Sequence, residues 1–190
     1  MGVRGWHPFG VTRMRSQLVL TLIGEDRPGL VEAIAAEVSQ HGGNWEQGRM
    51  ARLAGKFAGV LCVAIEADKA DALTQALRQL DRAGLQIVVE DADAAPTPGD
   101  ERRARLALVG NDHEGIVRDL SHVLVAQGVN VEELETLCEA APVGGGSLFR
   151  ARALLTLPSG LRIDTLQTAL EALADDLMVE IHLDAGDASR

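Results

Sequence analysis

The sequence predicts an α+β fold in which the chain runs twice through the element order β-α-β-β-α-β. The first observation is a Gly-x-Asp-x-x-Gly turn between an apolar run and a helical pattern, at Gly24–Gly29 and again 86 residues later at Gly110–Gly115. The same offset relates further positions: Gly42-Gly43-Asn44 with Gly128-Val129-Asn130, and Glu46 with Glu132. Recurrence at one offset indicates an internal duplication. The second observation is length, since 190 residues fit two small domains.

The first repeat is predicted from hydrophobic periodicity and from its breakers. Leu18–Ile23 is an apolar strand-like run, and the residues after the turn follow helical spacing up to Val38. Gly42 and Gly84 each follow a helical pattern, where glycine commonly ends a helix. Ala54-Gly55-Lys56 is a candidate hairpin turn. The predicted elements are strands at 18–23, 44–53, 57–65 and 85–89 and helices at 31–38 and 73–80.

The second repeat follows the same order, with a longer hairpin at Pro142–Gly146. Its predicted elements are strands at 105–109, 131–139, 148–157 and 177–183 and helices at 117–124 and 166–173. This order is the ferredoxin-like plan, with two helices on one face of a four-stranded antiparallel sheet. Because strands such as 18–23 and 60–65 are apolar on both faces, we expect the second sheet face or an edge to be covered by the other repeat or another chain.

Composition and breakers divide the chain into five parts. Residues 1–16 are expected to be an N-terminal extension that is disordered or non-native. Residues 17–93 and 102–184 form the two predicted domains. The segment 94–101 is a predicted linker because it contains two prolines and a glycine with little to bury, and residues 185–190 are a predicted loose tail.

The charge balance excludes several classes of partner. The net charge is −10, with −5 over residues 17–95 and −8 over residues 100–190. Neither half offers the basic surface that nucleic acid or an acidic membrane requires. Two cysteines, Cys62 and Cys138, form neither a disulfide framework nor a metal spacing. With no membrane-spanning run and no signal-peptide pattern, the sequence predicts a cytoplasmic protein.

The repeated turn has a chemistry of its own. A strand that enters a helix through such a turn leaves the first helical N–H groups without intrahelical partners, at the positive end of the helix dipole. This end of a helix suits a carboxylate or a phosphate. Asp26 or Asp112 is a candidate cap that would compete with the anion, and Pro28 fits near the first helical position. A capped turn without any ligand is the alternative.

The duplicated order with Gly-x-Asp-Arg-Pro-Gly at its first turn resembles tandem ACT domains, in particular the stand-alone regulators related to the glycine cleavage system transcriptional repressor. The resemblance covers residues 17–184. The stretches that carry it are Leu20–Leu30, Gly42–Asn44, Arg49–Phe57, Val109–Val117 and Gly128–Asn130.

The resemblance implies a regulatory module that binds an amino acid, glycine or serine being the candidates, near the first βα turn. Such modules pair through their sheets or edges, which implies a homodimer. The implied ligand residues are Asp26, Arg27, Pro28, Gly29, Leu30 and Asn44 in the first repeat and Asp112, His113, Glu114, Gly115 and Asn130 in the second. Since His113-Glu114 replaces Arg27-Pro28, the added negative charge is expected to weaken the second site.

Three hypotheses follow. The first is a non-enzymatic regulator that senses a small amino acid and acts on a protein partner such as a transcription regulator. The second is a ligand-free interaction module. The third is an enzyme that uses Asp112, His113 and Glu114, although three adjacent side chains do not converge on one centre and no catalytic motif accompanies them. The sequence predicts neither a cofactor nor a metal site.

Overall fold

The computed structural model describes residues 14–92, 102–141 and 146–185. The predictions for residues 1–13, the linker 94–101, the hairpin tip 142–145 and the tail 186–190 lie outside the described residues. The chain divides into two compact units, Met1–Ala95 and Pro96–Arg190. We call them unit 1 and unit 2 and describe each by itself.

Each unit has the predicted β-α-β-β-α-β order, so the predicted α+β, ferredoxin-like fold class is confirmed. In unit 1 the elements are β1 (Arg15–Glu25), α1 (Leu30–Gln40), β2 (Asn44–Leu53), β3 (Lys56–Glu66), α2 (Ala70–Gln79) and β4 (Leu85–Asp91). In unit 2 they are β5 (Arg102–Asn111), α3 (Ile116–Ala126), β6 (Asn130–Ala140), β7 (Ser147–Leu157), α4 (Ile163–Leu177) and β8 (Val179–Asp184).

Both sheets are four-stranded and antiparallel, in the order β2-β3-β1-β4 and β6-β7-β5-β8. Leu20 in β1 pairs with Leu61 in β3 and with Val89 in β4. On the same sheet face, Leu18 and Leu22 are buried with the apolar sides of α1 and α2. The equivalent residues of unit 2 form a second, separate core. Each sheet therefore carries its two helices on one face.

Two local differences from the sequence-based expectation have simple causes. The sequence predicts residues 15 and 16 as part of the N-terminal extension, but they belong to β1, because Ser16 pairs with Ile65 of β3. Leu177 was expected to open the last strand, but it ends α4 and packs against the core of unit 2. Met178, in a left-handed conformation with φ of 52°, then turns the chain into β8.

The glutamates repeated at an offset of 86 have a structural role. Each lies at a β-bulge, between Trp45 and Gln47 in β2 and at the corresponding place in β6. Glu46 accepts a hydrogen bond of 3.0 Å from the Gln17 amide. Glu132 is paired with Arg103 at 3.0 Å in the same arrangement. The bulge shifts the register of an edge strand, and the glutamate fastens that strand across the sheet.

Candidate ligand-binding site

The βα turn of unit 1 is the segment Asp26–Gly29, between the end of β1 and the start of α1. Gly29 has φ of 90° and precedes the helix. Only glycine adopts this left-handed conformation without a steric penalty. Leu30 follows with only 6% of its surface exposed, so the core fixes the start of the helix.

The turn of unit 2 is built in the same way over Asp112–Gly115. Gly115 has φ of 93°, and the buried Ile116 starts α3. The sequence duplication is thus reproduced in backbone conformation.

Neither helix has a side-chain cap. The first backbone bonds run from Ala33 N–H to the Gly29 carbonyl and from Asp119 N–H to the Gly115 carbonyl, each 2.9 Å. The amides before Ala33 and before Asp119 lie in the first helical turn, where an α-helix offers no acceptor. The expectation that Asp26 or Asp112 caps a helix is wrong, because a left-handed glycine occupies the N-cap position in both units.

Asp26 instead connects its turn to the hairpin between β2 and β3. Its backbone N–H donates to the Gly55 carbonyl at 2.9 Å. Its carboxylate lies 3.4 Å from the Arg52 guanidinium, and 31% of the Asp26 side chain remains exposed. The carboxylate is thus paired with a cation from the neighbouring hairpin and remains partly exposed.

Asp112 has a different neighbour. Its backbone N–H donates to the Ser147 carbonyl at 2.8 Å, as Asp26 does to its own hairpin. Its carboxylate, however, lies beside the exposed thiol of Cys138. Desolvation raises the pKa of Cys138, and the charge of Asp112 and a hydrogen bond with it raise that pKa further. In β6 Cys138 pairs with Phe149, and in β2 Arg52 pairs with Phe57. The two residues therefore hold equivalent positions, and unit 2 has a neutral thiol where unit 1 has an arginine.

The His113 imidazole lies against the backbone of the neighbouring Glu114. The His113 Nδ1 lies 3.2 Å from the Glu114 carbonyl oxygen. Its Nε2 is enclosed and has no hydrogen-bond partner within the described part of the chain. Nearby, the Arg118 guanidinium donates to Asp119 at 2.8 Å, which lowers the pKa of Asp119, and the charges of Arg118, His113 and His122 lower it further.

The structure does not bring Asn44 to the turn of its own unit. Asn44 pairs with Ala64, and Ala64 pairs with Gln17 near the start of β1. Asp26 follows the opposite end of that strand, roughly 30 Å away along it. Asn130 is likewise level with Arg103, at the far end of β5 from its turn. Of the predicted ligand residues, only the turn residues lie together within a unit.

A shallow depression of about 350 Å³ borders the turn in unit 1. Its walls contain an ion pair between Lys56 and Glu25. The remaining lining residues are Ile23, Gly24, Asp81, Gly84 and Gln86. Groups of both charge signs therefore surround the end of β1.

Sequence reasoning missed the neighbours of the turn, Arg52, Lys56 and Cys138. In the sequence, Arg52 and Lys56 belong only to the stretch that carries the family resemblance and to the predicted hairpin, and Cys138 is only a cysteine without a disulfide or metal pattern. The offset of 86 already relates Arg52 to Cys138. The contact with the turn appears only once the hairpin is folded back against it.

The residues described by the structure contain no group of three or more His, Cys, Asp and Glu side chains able to hold a metal ion. None of the helices among those residues is long and apolar enough to cross a membrane.

Comparison with known proteins gives a match to one family model and to two solved structures described below. The family model of the ACT domain matches residues 16–90. A solved structure of an unknown protein from Galdieria sulphuraria is 31% identical with a TM-score of 0.82, covering 92% of this chain and all (100%) of that one. The structure of a "putative glycine cleavage system transcriptional repressor" is 18% identical with a TM-score of 0.67, covering 90% of this chain and 97% of that one. No curated protein matches the sequence.

Proposed function

This chain belongs to the ACT-domain family, with two such domains in tandem, and from that premise we propose that it is a non-enzymatic regulatory protein that binds a small amino acid and acts through a protein partner. The observation that carries the proposal is the βα turn of unit 1, in which a partly exposed aspartate precedes an uncapped helix N-terminus by a few residues. The two groups complement the two charges of an amino acid.

In the proposed complex the ligand carboxylate accepts hydrogen bonds from the first amides of α1, around Leu30 and Val31. Backbone amides at a helix N-terminus bind anions through both hydrogen bonding and the helix dipole. The Asp26 carboxylate accepts from the ligand ammonium group, and charge-assisted bonds of this kind are among the stronger ones in proteins. Arg27, Pro28 and Gly29 shape the turn, whereas Asn44 and Asn130 lie outside this proposed site.

The proposed partner is a protein rather than a nucleic acid, because the chain has a net charge of −10. A transcription regulator of glycine metabolism is the proposed partner, and glycine or serine the proposed ligand. Support comes from the fold shared with the protein described as a putative repressor of the glycine cleavage system. A cytoplasmic location is part of the same proposal, since the free Cys62 and Cys138 suit a reducing compartment.

Thermal unfolding in the presence of each of the twenty amino acids at millimolar concentration tests the proposal. A ligand at 100 times its Kd adds about 2.7 kcal/mol of stability, which raises the Tm by several degrees. We expect one amino acid to give such a shift, Asp26→Ala to abolish it, and Asp71→Ala, an equal charge change on an exposed position of α2, to leave it intact. No shift with any amino acid, or a shift that persists in Asp26→Ala, contradicts the proposal.

A ligand-free interaction module is the second candidate, and a specific surface favours it. On the face of the unit 1 sheet opposite the helices, Ile23, Val60 and Val88 are 47%, 47% and 58% exposed. Exposed apolar patches of this kind mark interaction sites. The second candidate predicts a homodimer that Val60→Lys dissociates in sedimentation equilibrium, with a Tm that no amino acid changes. A wild-type monomer contradicts it.

A further inference from the structure

The turn ends of the two units share a backbone but differ in charge. Strand pairing defines the equivalent positions. Lys56 pairs with Glu25 at the end of β1, and Leu148 pairs with Asn111 at the end of β5. Unit 1 therefore has cations at three positions, Arg27, Arg52 and Lys56. Their counterparts in unit 2 are, in the same order, His113, Cys138 and Leu148.

The acidic side chains differ in both directions. Glu25 and Glu32 of unit 1 are replaced by Asn111 and Arg118 in unit 2, which in turn gains acidic residues elsewhere at this end. Pro28 is replaced by Glu114 in the turn. Gln86, which pairs with Ile23, is replaced by Glu180, which pairs with Val109. The turn end of unit 1 therefore balances its acids with cations, whereas that of unit 2 gathers negative charge.

The shape of the two ends differs as well. Gly84 lines the depression of unit 1, and a Cβ built on it would meet nothing within 4 Å. The counterpart, the residue before β8, is Met178, which is 84% exposed. Met178 accepts a left-handed φ of 52°, a conformation that carries a steric cost for a non-glycine residue. Unit 2 thus adds a long side chain where unit 1 keeps an open space.

Asp26 and Asp112 show how the charge difference acts on a carboxylate ligand. Arg52, 3.4 Å from Asp26, offsets the repulsion that Asp26 exerts on an incoming carboxylate. Asp112 has only the neutral Cys138 thiol at that place, so its charge is not offset there. The nearby Glu114 adds to the repulsion, because like charges a few ångströms apart at a surface repel appreciably.

We propose that only unit 1 binds the amino acid, so that one ligand binds per chain, and that Arg52 is the positioning residue that holds the Asp26 carboxylate in place and offsets part of its charge. The inference rests on the proposed function, since it assumes that an amino acid binds at a βα turn. Unit 2 keeps the fold of a ligand-binding unit without its ligand.

Equilibrium dialysis of the full chain against a carbon-14-labelled mixture of the twenty amino acids tests this inference. We expect one equivalent to be retained per wild-type chain. Arg52→Ala is expected to weaken retention about five- to tenfold, Arg52→Lys to restore most of it, and Arg15→Ala, an equal charge change at the opposite end of β1, to have no effect. The unliganded Tm of each variant separates lost binding from lost folding.

The reciprocal variant Cys138→Arg/Glu114→Pro installs the unit 1 residues in unit 2, and we expect it to raise the retained amount above one equivalent. Two equivalents per wild-type chain, or retention that Arg52→Ala leaves unchanged, overturns the inference while the proposed function stands. Retention of no amino acid by the wild-type chain overturns both.

Discussion

At the scale of single residues, the replacement of Arg52 by Cys138 changes the chemistry of a turn that is otherwise repeated. Asp26 and Asp112 occupy the same backbone position, and each donates its N–H to the hairpin of its unit. Arg52 makes an ion pair with the first, whereas Cys138 lies beside the second. The environment of an aspartate is therefore set by a residue from another strand, which local sequence does not reveal.

Asp112→Asn is expected to make Cys138 more reactive. Desolvation and then Asp112 raise the pKa of the thiol. Removing the carboxylate removes the second cause, so the pKa falls and a larger fraction is thiolate, the reactive form, at neutral pH. In a Cys62→Ser background, iodoacetamide should alkylate the Asp112→Asn variant faster than its parent at pH 7.5. Equal rates would show that Asp112 does not influence the thiol.

Gly110→Ala is expected to destabilise unit 2. A Cβ at this position overlaps the side chain of Val179 and comes within 3.1 Å of its Cα. Overpacking of this kind typically costs about 1–3 kcal/mol. Gly160→Ala is the matched control, because a Cβ there meets nothing within 4 Å. Thermal unfolding followed by circular dichroism should show a lower Tm for Gly110→Ala only, and a Tm equal to that of the control would refute the close approach.

At the scale of elements, periodicity was sufficient to predict the strands and helices. Leu18–Ile23 and Phe57–Ile65 lie inside β1 and β3, because short apolar runs between turns are typical of buried strands. The helix caps were not predictable from residue type. Aspartate is a favoured N-cap, but Gly29 and Gly115 take that position because the chain must reverse into the helix. The bulges of β2 and β6 also escaped prediction, although the repeated glutamates mark them.

The contribution of α1 to stability is expected to come from its buried side. Ile34 is fully buried in the core of unit 1, whereas Val31 is 47% exposed. Ile34→Ala should cost about 2–5 kcal/mol of unfolding free energy through lost burial and a residual cavity. Val31→Ala should stay within about 0.5 kcal/mol. Urea denaturation measures both, and a comparable loss in the two variants would mean that α1 is not packed as described.

At the scale of the whole molecule, the duplication was visible in sequence and the difference between the repeats was only partly so. His113-Glu114 in place of Arg27-Pro28 already indicated a weaker second site. The sequence did not reveal that Leu148 replaces Lys56. The longer hairpin of unit 2 increases the spacing between β3 and β7, so the offset of 86 no longer relates equivalent residues of these two strands. Register, which depends on the folded sheet, was needed to align these residues.

The expectation that the other repeat or another chain covers the second sheet face or a sheet edge stays a prediction. In unit 1 the sheet face opposite the helices includes Val60, paired with Thr21, and it exposes apolar side chains. The corresponding face of unit 2 carries Arg150 and Arg152, with Arg150 paired to Glu139 at 2.5 Å. One chain thus combines an apolar sheet face with a charged one, which suits two different kinds of contact.

The most direct test of the central claim is an amide NMR titration of the nitrogen-15-labelled chain with the amino acid that raises the Tm most. We expect the largest shifts on the amides of Gly29, Leu30 and Val31, while those of Gly115 and Ile116 stay in place. Shifts centred on unit 2, or no shift with that amino acid, would contradict binding at the turn of unit 1.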